Sequence, residues 1–191
     1  SIGNFMRWIE SENLVTYYID DDTKLKTYPT RKLRIPVDKA AVLKSGIVAQ
    51  KDADKIVAYI DITIDGQALT KNRILMLDIL ANFGWKQAIY FTGGANADEE
   101  YLWLKDYLQL DGMSYKLVPI KTANENRNML NMGRIDSEKM YANIQKLDWR
   151  NINDGTIYLD EQTKRNAISM RNNLLRLAET FIYEENFEKA E

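Results

Sequence analysis

A strand, a helix and a second strand follow one another between residues 85 and 122, and this order constrains the fold more than any other feature. The apolar run WKQAIYF ends near a glycine pair, a segment of helical periodicity follows, and a further glycine precedes the run MSYKLVPI. Two strands joined by a helix of this length are most economically parallel, with a right-handed crossover. We therefore predict that residues 88–91 and 115–120 form parallel neighbouring strands, linked by a helix over residues 98–110.

Apolar periodicity and capping residues predict the remaining elements. Helices are expected at residues 2–10, 39–43, 71–83, 137–147 and 160–184, and strands at residues 32–37 and 59–64. Asp38 and Thr70 are the expected N-caps of the second and third helices. Residues 71–83 are apolar on most sides, so we expect that helix to be buried on both faces, between the sheet and another layer.

These elements predict an α/β fold with a small, mainly parallel sheet flanked by helices, followed by a C-terminal helical segment. A chain of 191 residues is long enough to bury a core of this kind. We assign residues 1–150 to a soluble α/β domain and residues 151–191 to the helical segment, interpreted as the start of a helical repeat array.

The distal end of the last helix is a candidate interaction surface. Its apolar residues, spaced three and four apart, include Leu174, Leu177, Phe181 and Ile182. Burying such side chains is worth roughly 1.5–3 kcal/mol each, so we expect them to be covered. The sequence leaves two arrangements open. Either the distal end, around residues 181–187, is frayed or packed against another copy of the chain, giving a dimer through this helix, or the helix folds back and the α/β core of the same chain buries these residues.

The chain contains neither cysteine nor histidine. Within this chain, that excludes disulfides and catalytic sets of the Ser-His-Asp or Cys-His kind, and it removes the commonest zinc ligands. The formal net charge of -2 gives no basic excess of the kind that binds nucleic acid. No stretch approaches the roughly 20 apolar residues that span a bilayer. We assign no catalytic residue, no metal ligand and no cofactor, and we expect no nucleic-acid partner.

Thr92, Gly93 and Gly94 follow the strand at residues 88–91 and form a candidate ligand loop. Loops at the carboxyl ends of parallel strands bind ligands in α/β folds, and a helix N-terminus attracts anions. Residues 98–100 are all acidic, however, and no phosphate-binding motif is present. A tight turn is therefore the simpler interpretation of this loop.

Two groups of acidic residues are further candidates. Asp20, Asp21 and Asp22 would attract a hard cation, but they lack the spacing and the glycine of a calcium loop. Asp61 and Asp65 would form an acid pair, but their spacing puts both on the outward face of a strand. A solvated turn and a solvated sheet face are the favoured interpretations.

Four stretches of the chain carry a family resemblance as a set. They include RIPVDKAAVLKSG, LTKNRILMLDILANFGW, EYLWLKDYLQLDG and MGRIDSEKMYANI, within residues 34–64, 69–94, 100–122 and 132–144. Together they resemble the C-terminal soluble region of a large multi-pass membrane family. That family was long of unknown function and is grouped with protein O-mannosyltransferase-like glycosyltransferases of the GT-C type.

The resemblance implies a soluble domain on the extracytoplasmic (periplasmic) face of the inner membrane, joined to the membrane-embedded part of the same polypeptide. Such enzymes use a lipid-linked sugar as donor, and their key acidic residue lies in a loop near the first membrane span. No catalytic residue of the family matches a position of this chain. The implied role is an accessory domain that contacts an acceptor protein or another partner.

Residues 177–191, LAETFIYEENFEKAE, also resemble the junction between the two helices of a tetratricopeptide-like repeat. Glu185 stands where the inter-helix turn of such a repeat usually has glycine. Two other functions stay open at this point. The chain could be a free-standing protein-interaction module, or a small α/β enzyme that uses the loop after Phe91.

Overall fold

The computed structural model describes residues 1–11, 16–18, 24–26, 28, 30–64, 69–92, 101–122, 132–148 and 158–191. Its α-helices are α1 (Ile2–Glu10), α2 (Lys39–Lys44), α3 (Lys71–Asn82), α4 (Ser137–Ile144), α5 (Glu161–Tyr183) and α6 (Phe187–Ala190). Its strands are β1 (Thr16–Tyr18), β2 (Lys24–Lys26), β3 (Lys32–Pro36), β4 (Tyr59–Thr63), β5 (Tyr90–Thr92), β6 (Leu108–Leu110), β7 (Ser114–Leu117) and β8 (Arg134–Ile135). Two 3₁₀ helices span Gln50–Lys55 and Leu102–Tyr107. The fold is therefore α/β, with small sheets, several helices and a long C-terminal helix.

Contacts within the chain define two compact units. The first comprises Ser1–Ala88, Ala95–Tyr107 and Val118–Lys121, and the second comprises Ile89–Gly94, Leu108–Leu117 and Thr122–Glu191. The boundary between an α/β domain and a helical segment near residue 150 stays a prediction.

The first unit contains two antiparallel pairs, β1 with β2 and β3 with β4. Alternation along the β3–β4 pair buries one face and exposes the other. Leu33 lies opposite Ile62 and Ile35 opposite Ile60, and all four side chains are buried. Pro36 ends β3, as the missing N–H of proline predicts.

Short polar side chains begin the helices where the sequence predicts them. Asp38 accepts a hydrogen bond from the amide of Ala41 at 3.0 Å, and Thr70 accepts one from the amide of Arg73 at 3.3 Å. The same geometry occurs at Asp136 before α4 and at Asp160 before α5. These side chains satisfy amides that the first helical turn leaves without an intrahelical partner.

The environment predicted for α3 is wrong. Leu77 and Leu80 are buried, and the helix packs on α1, but Leu75 and Ile79 are 61% and 47% exposed. The apolar composition of α3 therefore does not reflect burial on two sides within the described chain. Leu77 and Leu80 lie on the covered face of the helix. Leu75 and Ile79 lie roughly 100° or more away around the helix axis and are exposed to solvent.

The second unit contains a four-stranded sheet in the order β5–β7–β6–β8. β7 is antiparallel to both β5 and β6, and only the short β6–β8 pair is parallel. The sheet is thus mixed rather than mainly parallel. The prediction that the strands near residues 90 and 115 are parallel neighbours is wrong, because β5 and β7 run antiparallel.

The error arises in the segment predicted as a helix over 98–110. Residues 102–107 form a 3₁₀ helix, and residues 108–110 form the strand β6 instead of a last helical turn. A tight hairpin then leads into β7, where the amide of Asp111 donates to the carbonyl of Ser114 at 3.0 Å. A hairpin reverses the chain, whereas the expected helical crossover would have kept the strands parallel.

Candidate functional site

Four polar side chains form a row across the four-stranded sheet. Tyr90 on β5 lies opposite Lys116 on β7, Lys116 lies opposite Gln109 on β6, and Gln109 lies opposite Arg134 on β8. Residues directly opposite one another project from the same face of a sheet. One face of this sheet therefore carries a continuous polar row, although Gln109 and Lys116 are buried.

Asp111 completes this row as the acceptor of a network in which Gln109, Asp111 and Lys116 are buried and Tyr90 is 49% exposed. Its Oδ2 lies 3.1 Å from Nζ of Lys116 and accepts a hydrogen bond of 3.1 Å from the hydroxyl of Tyr90. Its Oδ1 accepts a hydrogen bond of 3.3 Å from Nε2 of Gln109. We call Tyr90, Gln109, Asp111 and Lys116 the Asp111 network.

The protonation of Lys116 and Tyr90 follows chiefly from burial and from the Asp111 carboxylate. Burial lowers the pKa of Lys116 below its ordinary value, and the Asp111 carboxylate opposes that shift. Burial also raises the pKa of Tyr90 to about 12, and the negative charge of Asp111 adds to the effect. Tyr90 therefore stays a neutral donor at neutral pH, and its proton points to Asp111.

The other face of the same sheet is apolar. Leu110 packs in one cluster with Met140 and Ile144 of α4 and with Leu177 and Phe181 of α5. Successive residues of β6 point to opposite faces of the sheet. Leu108 and Leu110 therefore lie on the side that the helices cover, and Gln109 and Asp111 lie on the polar side. This arrangement makes the network part of the internal framework of the second unit.

Chemically, the Asp111 network holds a carboxylate with three donors on three different strand positions. The three donors occupy the oxygens of this carboxylate, and an ammonium held against it is a poor nucleophile. The arrangement is suited to fixing strand register, since a shift by one residue would move every charged member to the apolar face. We therefore interpret it as structural.

A second polar group lies on the exposed face of the β3–β4 pair. Nε and Nη2 of Arg34 contact the two carboxylate oxygens of Asp61 at 2.6 and 2.9 Å, and the guanidinium stacks over the Tyr59 ring at 4.9 Å. The hydrogen bond from Arg34 lowers the pKa of Asp61 below its ordinary range. A shallow groove of about 320 Å³ runs beside the pair, lined by Lys32, Leu33, Arg34, Asp61, Ile62 and Thr63.

The structure locates some of the acidic candidates. Asp61 lies on a solvated sheet face, as favoured above, and its partner is Arg34 rather than a second acid. Asp65 and Asp20–Asp22 lie outside the described residues. Within the part of the chain that the structure describes, no group of three or more acidic residues could hold a metal ion.

The candidate ligand loop is described only at its first residue. Thr92 is the exposed last residue of β5, whereas Gly93 and Gly94 lie outside the described residues. Ligand loops of α/β folds follow strands that have parallel neighbours. The described neighbour of β5 is the antiparallel strand β7, so the fold does not support a ligand here, and a ligand at this loop stays a prediction.

The four residues of the candidate C-terminal surface have different environments. Leu177 and Phe181 are buried in the apolar cluster of the second unit, and Leu174 is partly buried against it. Ile182 is 54% exposed. Within the described residues most of this stripe is therefore covered, and Ile182 is its most exposed member.

Sequence reasoning missed the Asp111 network. The available signal was period-two alternation of polar and apolar residues in LQLD at 108–111 and in SYKL at 114–117. Assigning residues 108–110 to a helix concealed this alternation, because Gln109 and Asp111 then fall on different sides of the element.

Comparison with known proteins adds one relationship. Residues 1–139 match the family model described as TMEM260-associated domain 2, which is more than half of the chain. No curated protein and no solved structure matches the chain. Among the described residues, none of the helices combines the length and the apolar character needed to cross a membrane.

Proposed function

The chain belongs to the TMEM260-associated domain 2 family, and from this membership we propose that it is the accessory domain of a membrane-embedded GT-C-like protein glycosyltransferase. The family description ties the domain to TMEM260, a membrane protein family. The proposal goes further in three respects. It places the domain on the extracytoplasmic face, it makes protein glycosylation the parent activity, and it gives the domain a role in contacting the acceptor protein or the membrane-embedded part.

The observation that carries the proposal is the extent of the family match. Residues 1–139 include every strand from β1 to β8, and thus both sheets with buried faces. The four-stretch resemblance to GT-C-associated soluble regions overlaps the same residues and supports the finer assignment. Together they favour a role that belongs to the folded domain rather than to a short peptide motif.

An accessory, non-catalytic role is also consistent with the chemistry of the Asp111 network. The carboxylate of Asp111 is shared by Lys116, Tyr90 and Gln109, so these groups satisfy one another. A catalytic group must instead reach a substrate proton or electrophile at hydrogen-bond distance. The Asp111 network therefore supports a structural role. In this proposal the domain contributes to sugar transfer by binding the acceptor protein or the membrane-embedded part.

A contact surface within the matched residues is available on α3. Leu75 and Ile79 lie one turn apart on the same helix face, and both are exposed. Large exposed apolar patches mark protein contacts, and we propose that Leu75 and Ile79 form the centre of such a contact. We assign this face to the membrane-embedded part of the same polypeptide, which stays beside the domain permanently.

The experiment compares variants of the full-length membrane protein. Leu75→Glu together with Ile79→Glu should weaken the contact and reduce transfer to the acceptor by roughly tenfold or more, since interface anchors commonly contribute more than 1.4 kcal/mol. The matched control is Tyr59→Glu, which changes an exposed aromatic residue on β4. Equal transfer by the α3 double variant and the unaltered protein would contradict this contact.

A further inference from the structure

The exposed face of the β3–β4 pair carries more positive than negative charge. Cross-strand register places Lys32 opposite Thr63 and Arg34 opposite Asp61, and all four side chains are exposed. The pKa of Asp61 is lowered first by the hydrogen bond from Arg34 and, to a smaller extent, by the charge of Lys121, which places Lys121 beside the pair. Three cations therefore surround one carboxylate, although acidic residues outnumber basic ones in the whole chain, 28 to 26. We call Lys32, Arg34, Asp61, Thr63 and Lys121 the basic face.

The groove beside the β3–β4 pair runs through the basic face. Lys32 and Arg34 line it from β3, and Asp61 and Thr63 line it from β4. Its volume of about 320 Å³ is at the lower end of the range for small-molecule sites. The groove therefore suits one compact polar group rather than a large ligand.

The guanidinium of Arg34 is held in one orientation at this groove. Asp61 accepts its hydrogen bonds from Nε and Nη2 at 2.6 and 2.9 Å, and the ring of Tyr59 lies 4.9 Å from its central carbon. Arginine has five N–H donors, so three remain beyond the two that Asp61 accepts. Because the planar group is already oriented, little further freedom is lost when these donors bind a ligand.

The donors of the basic face suit a phosphate. A guanidinium matches the oxygens of a phosphate with paired hydrogen bonds, and a lysine ammonium adds a point charge. Arg34 provides the first, Lys32 and Lys121 provide the second, and the hydroxyl of Thr63 adds a neutral donor. The excess of positive charge on this face favours such an anion.

We propose that the basic face binds the phosphate headgroup of an anionic phospholipid and thereby holds the first unit on the membrane surface. Tyr59 is 51% exposed beside Arg34, and tyrosine is enriched where proteins meet the boundary between membrane and water. The inference rests on the family's tie to a membrane protein and does not depend on the proposed glycosyltransferase role.

A lipid headgroup fits this surface better than an acidic peptide. A peptide could gain affinity by adding a strand to the outer edge of β3. At that edge the amide of Lys32 donates to the hydroxyl of Thr30 at 3.1 Å, and the carbonyl of Pro36 accepts from the indole of Trp85 at 2.9 Å. Proline has no amide to offer, so the edge is blocked at both ends. A membrane protein also keeps its domains beside anionic lipids at high local concentration.

The first test is sedimentation of the purified 191-residue chain with phosphatidylcholine vesicles that contain one-third phosphatidylglycerol. Three cations at roughly fivefold each, together with the hydrogen bonds of Arg34, give half-maximal binding at a lipid concentration on the order of 1 mM. Vesicles of phosphatidylcholine alone should bind far less, because choline neutralises the phosphate. No binding to the anionic vesicles at lipid concentrations up to about 20 mM would overturn the proposal.

Paired lysine variants locate the binding on the chain. Lys32→Gln with Lys121→Gln should weaken vesicle binding about 25-fold, since each cation near the surface contributes roughly fivefold. The matched control is Lys86→Gln with Lys146→Gln, which changes the net charge equally at two exposed lysines elsewhere. Equal weakening by both pairs would show attraction to the chain as a whole and overturn the assignment to this face.

Arg34→Lys distinguishes a formed site from diffuse charge. The variant keeps the charge but loses the paired donors, so we expect roughly fivefold weaker binding to the anionic vesicles. Unchanged binding would overturn the site. The Arg34–Asp61 pair is exposed, so the fold should persist, and circular dichroism of each variant checks this.

Competition identifies the source of the phosphate. Inorganic phosphate and a poly-glutamate peptide, each at the charge concentration of the anionic lipid, should leave most of the chain on the vesicles. Displacement by inorganic phosphate would assign the face to a soluble phosphate ligand and overturn the lipid. Displacement by the peptide alone would assign it to an acidic protein partner and overturn the proposal as well.

Discussion

The ammonium nitrogen of Lys116 lies 3.1 Å from Oδ2 of Asp111, and the two side chains are 3% and 0% exposed. Removing two charges from water is costly, and their attraction repays this only when the remaining polar atoms are also satisfied. Tyr90 and Gln109 provide that satisfaction. The pair therefore fixes the arrangement of β5, β6 and β7 more than it adds net stability.

Removing one member of this pair should be more damaging than removing both. Asp111→Ala leaves the Lys116 charge buried without a counter-charge and should cost about 3–5 kcal/mol of unfolding free energy. The double change Lys116→Met with Asp111→Leu should be nearly neutral, because no charge is then buried. Urea denaturation of the three proteins measures these differences.

The control for this prediction is the exposed pair of Arg34 and Asp61. Both side chains are more than half exposed, so Asp61→Ala should cost less than about 1 kcal/mol. Equal losses of unfolding free energy from Asp111→Ala and Asp61→Ala would contradict the prediction, because they would mean that water reaches the Lys116–Asp111 pair.

Tyr90 should make stability depend on alkaline pH. Its pKa is about 12 in the folded chain against an ordinary 10.0, so the folded state keeps this proton when the unfolded state loses it. The stabilisation is therefore fully present below pH 10 and is lost as the pH rises towards 12. The difference in unfolding free energy between the unaltered chain and Tyr90→Phe should fall across this interval. A difference that stays constant with pH would show that Tyr90 titrates normally.

Leu104 should be a core residue of the first unit. Its side chain is fully buried, so Leu104→Ala should lower the unfolding free energy by about 2–5 kcal/mol. Leu75→Ala provides the matched control, because this leucine is exposed and its loss should change stability by less than about 0.5 kcal/mol. Thermal denaturation of both variants checks the contrast, and an unchanged melting temperature for Leu104→Ala would place that residue outside the core.

Glu185 occupies a backbone conformation that favours glycine. Its φ is +59°, in the turn between α5 and α6, and the amide of the next residue, Asn186, donates to the carbonyl of Phe181 at 2.9 Å. A side chain in the left-handed region costs roughly 1–2 kcal/mol, so Glu185→Gly should raise stability by up to about 1 kcal/mol after the added flexibility of the unfolded chain. Glu179→Gly, in the interior of α5, should instead lower it by about 1 kcal/mol. The reverse order of melting temperatures would contradict the turn geometry.

Local features of this fold could be predicted from the sequence, because they depend on neighbouring residues. The N-caps at Asp38 and Thr70 and the alternation in β4 are examples, and each is confirmed. The direction of strands could not be predicted in this way. LQL at residues 108–110 fits the end of an amphipathic helix as well as a short buried strand, and only pairing with β7 and β8 decides between them.

The candidate site was less predictable than the fold. Tyr90 lies on β5, whereas Asp111 and Lys116 lie in the hairpin of β6 and β7, and their proximity depends on the antiparallel register of the sheet. The exposed face of α5 shows a further limit of periodicity. Ile168 and Leu175 are apolar and lie on the helix, yet both are more than half exposed, whereas Leu177 and Phe181 are buried.

We propose that this chain serves a membrane-embedded glycosyltransferase without performing the transfer itself. The direct measurement is transfer of sugar from a polyprenyl-phosphate donor to acceptor protein by three preparations: the full-length membrane protein, the same protein lacking residues 1–191, and the isolated chain. We predict transfer by the full-length protein, strongly reduced transfer after the deletion, and none by the isolated chain. Turnover by the isolated chain, or undiminished transfer after the deletion, would contradict the claim.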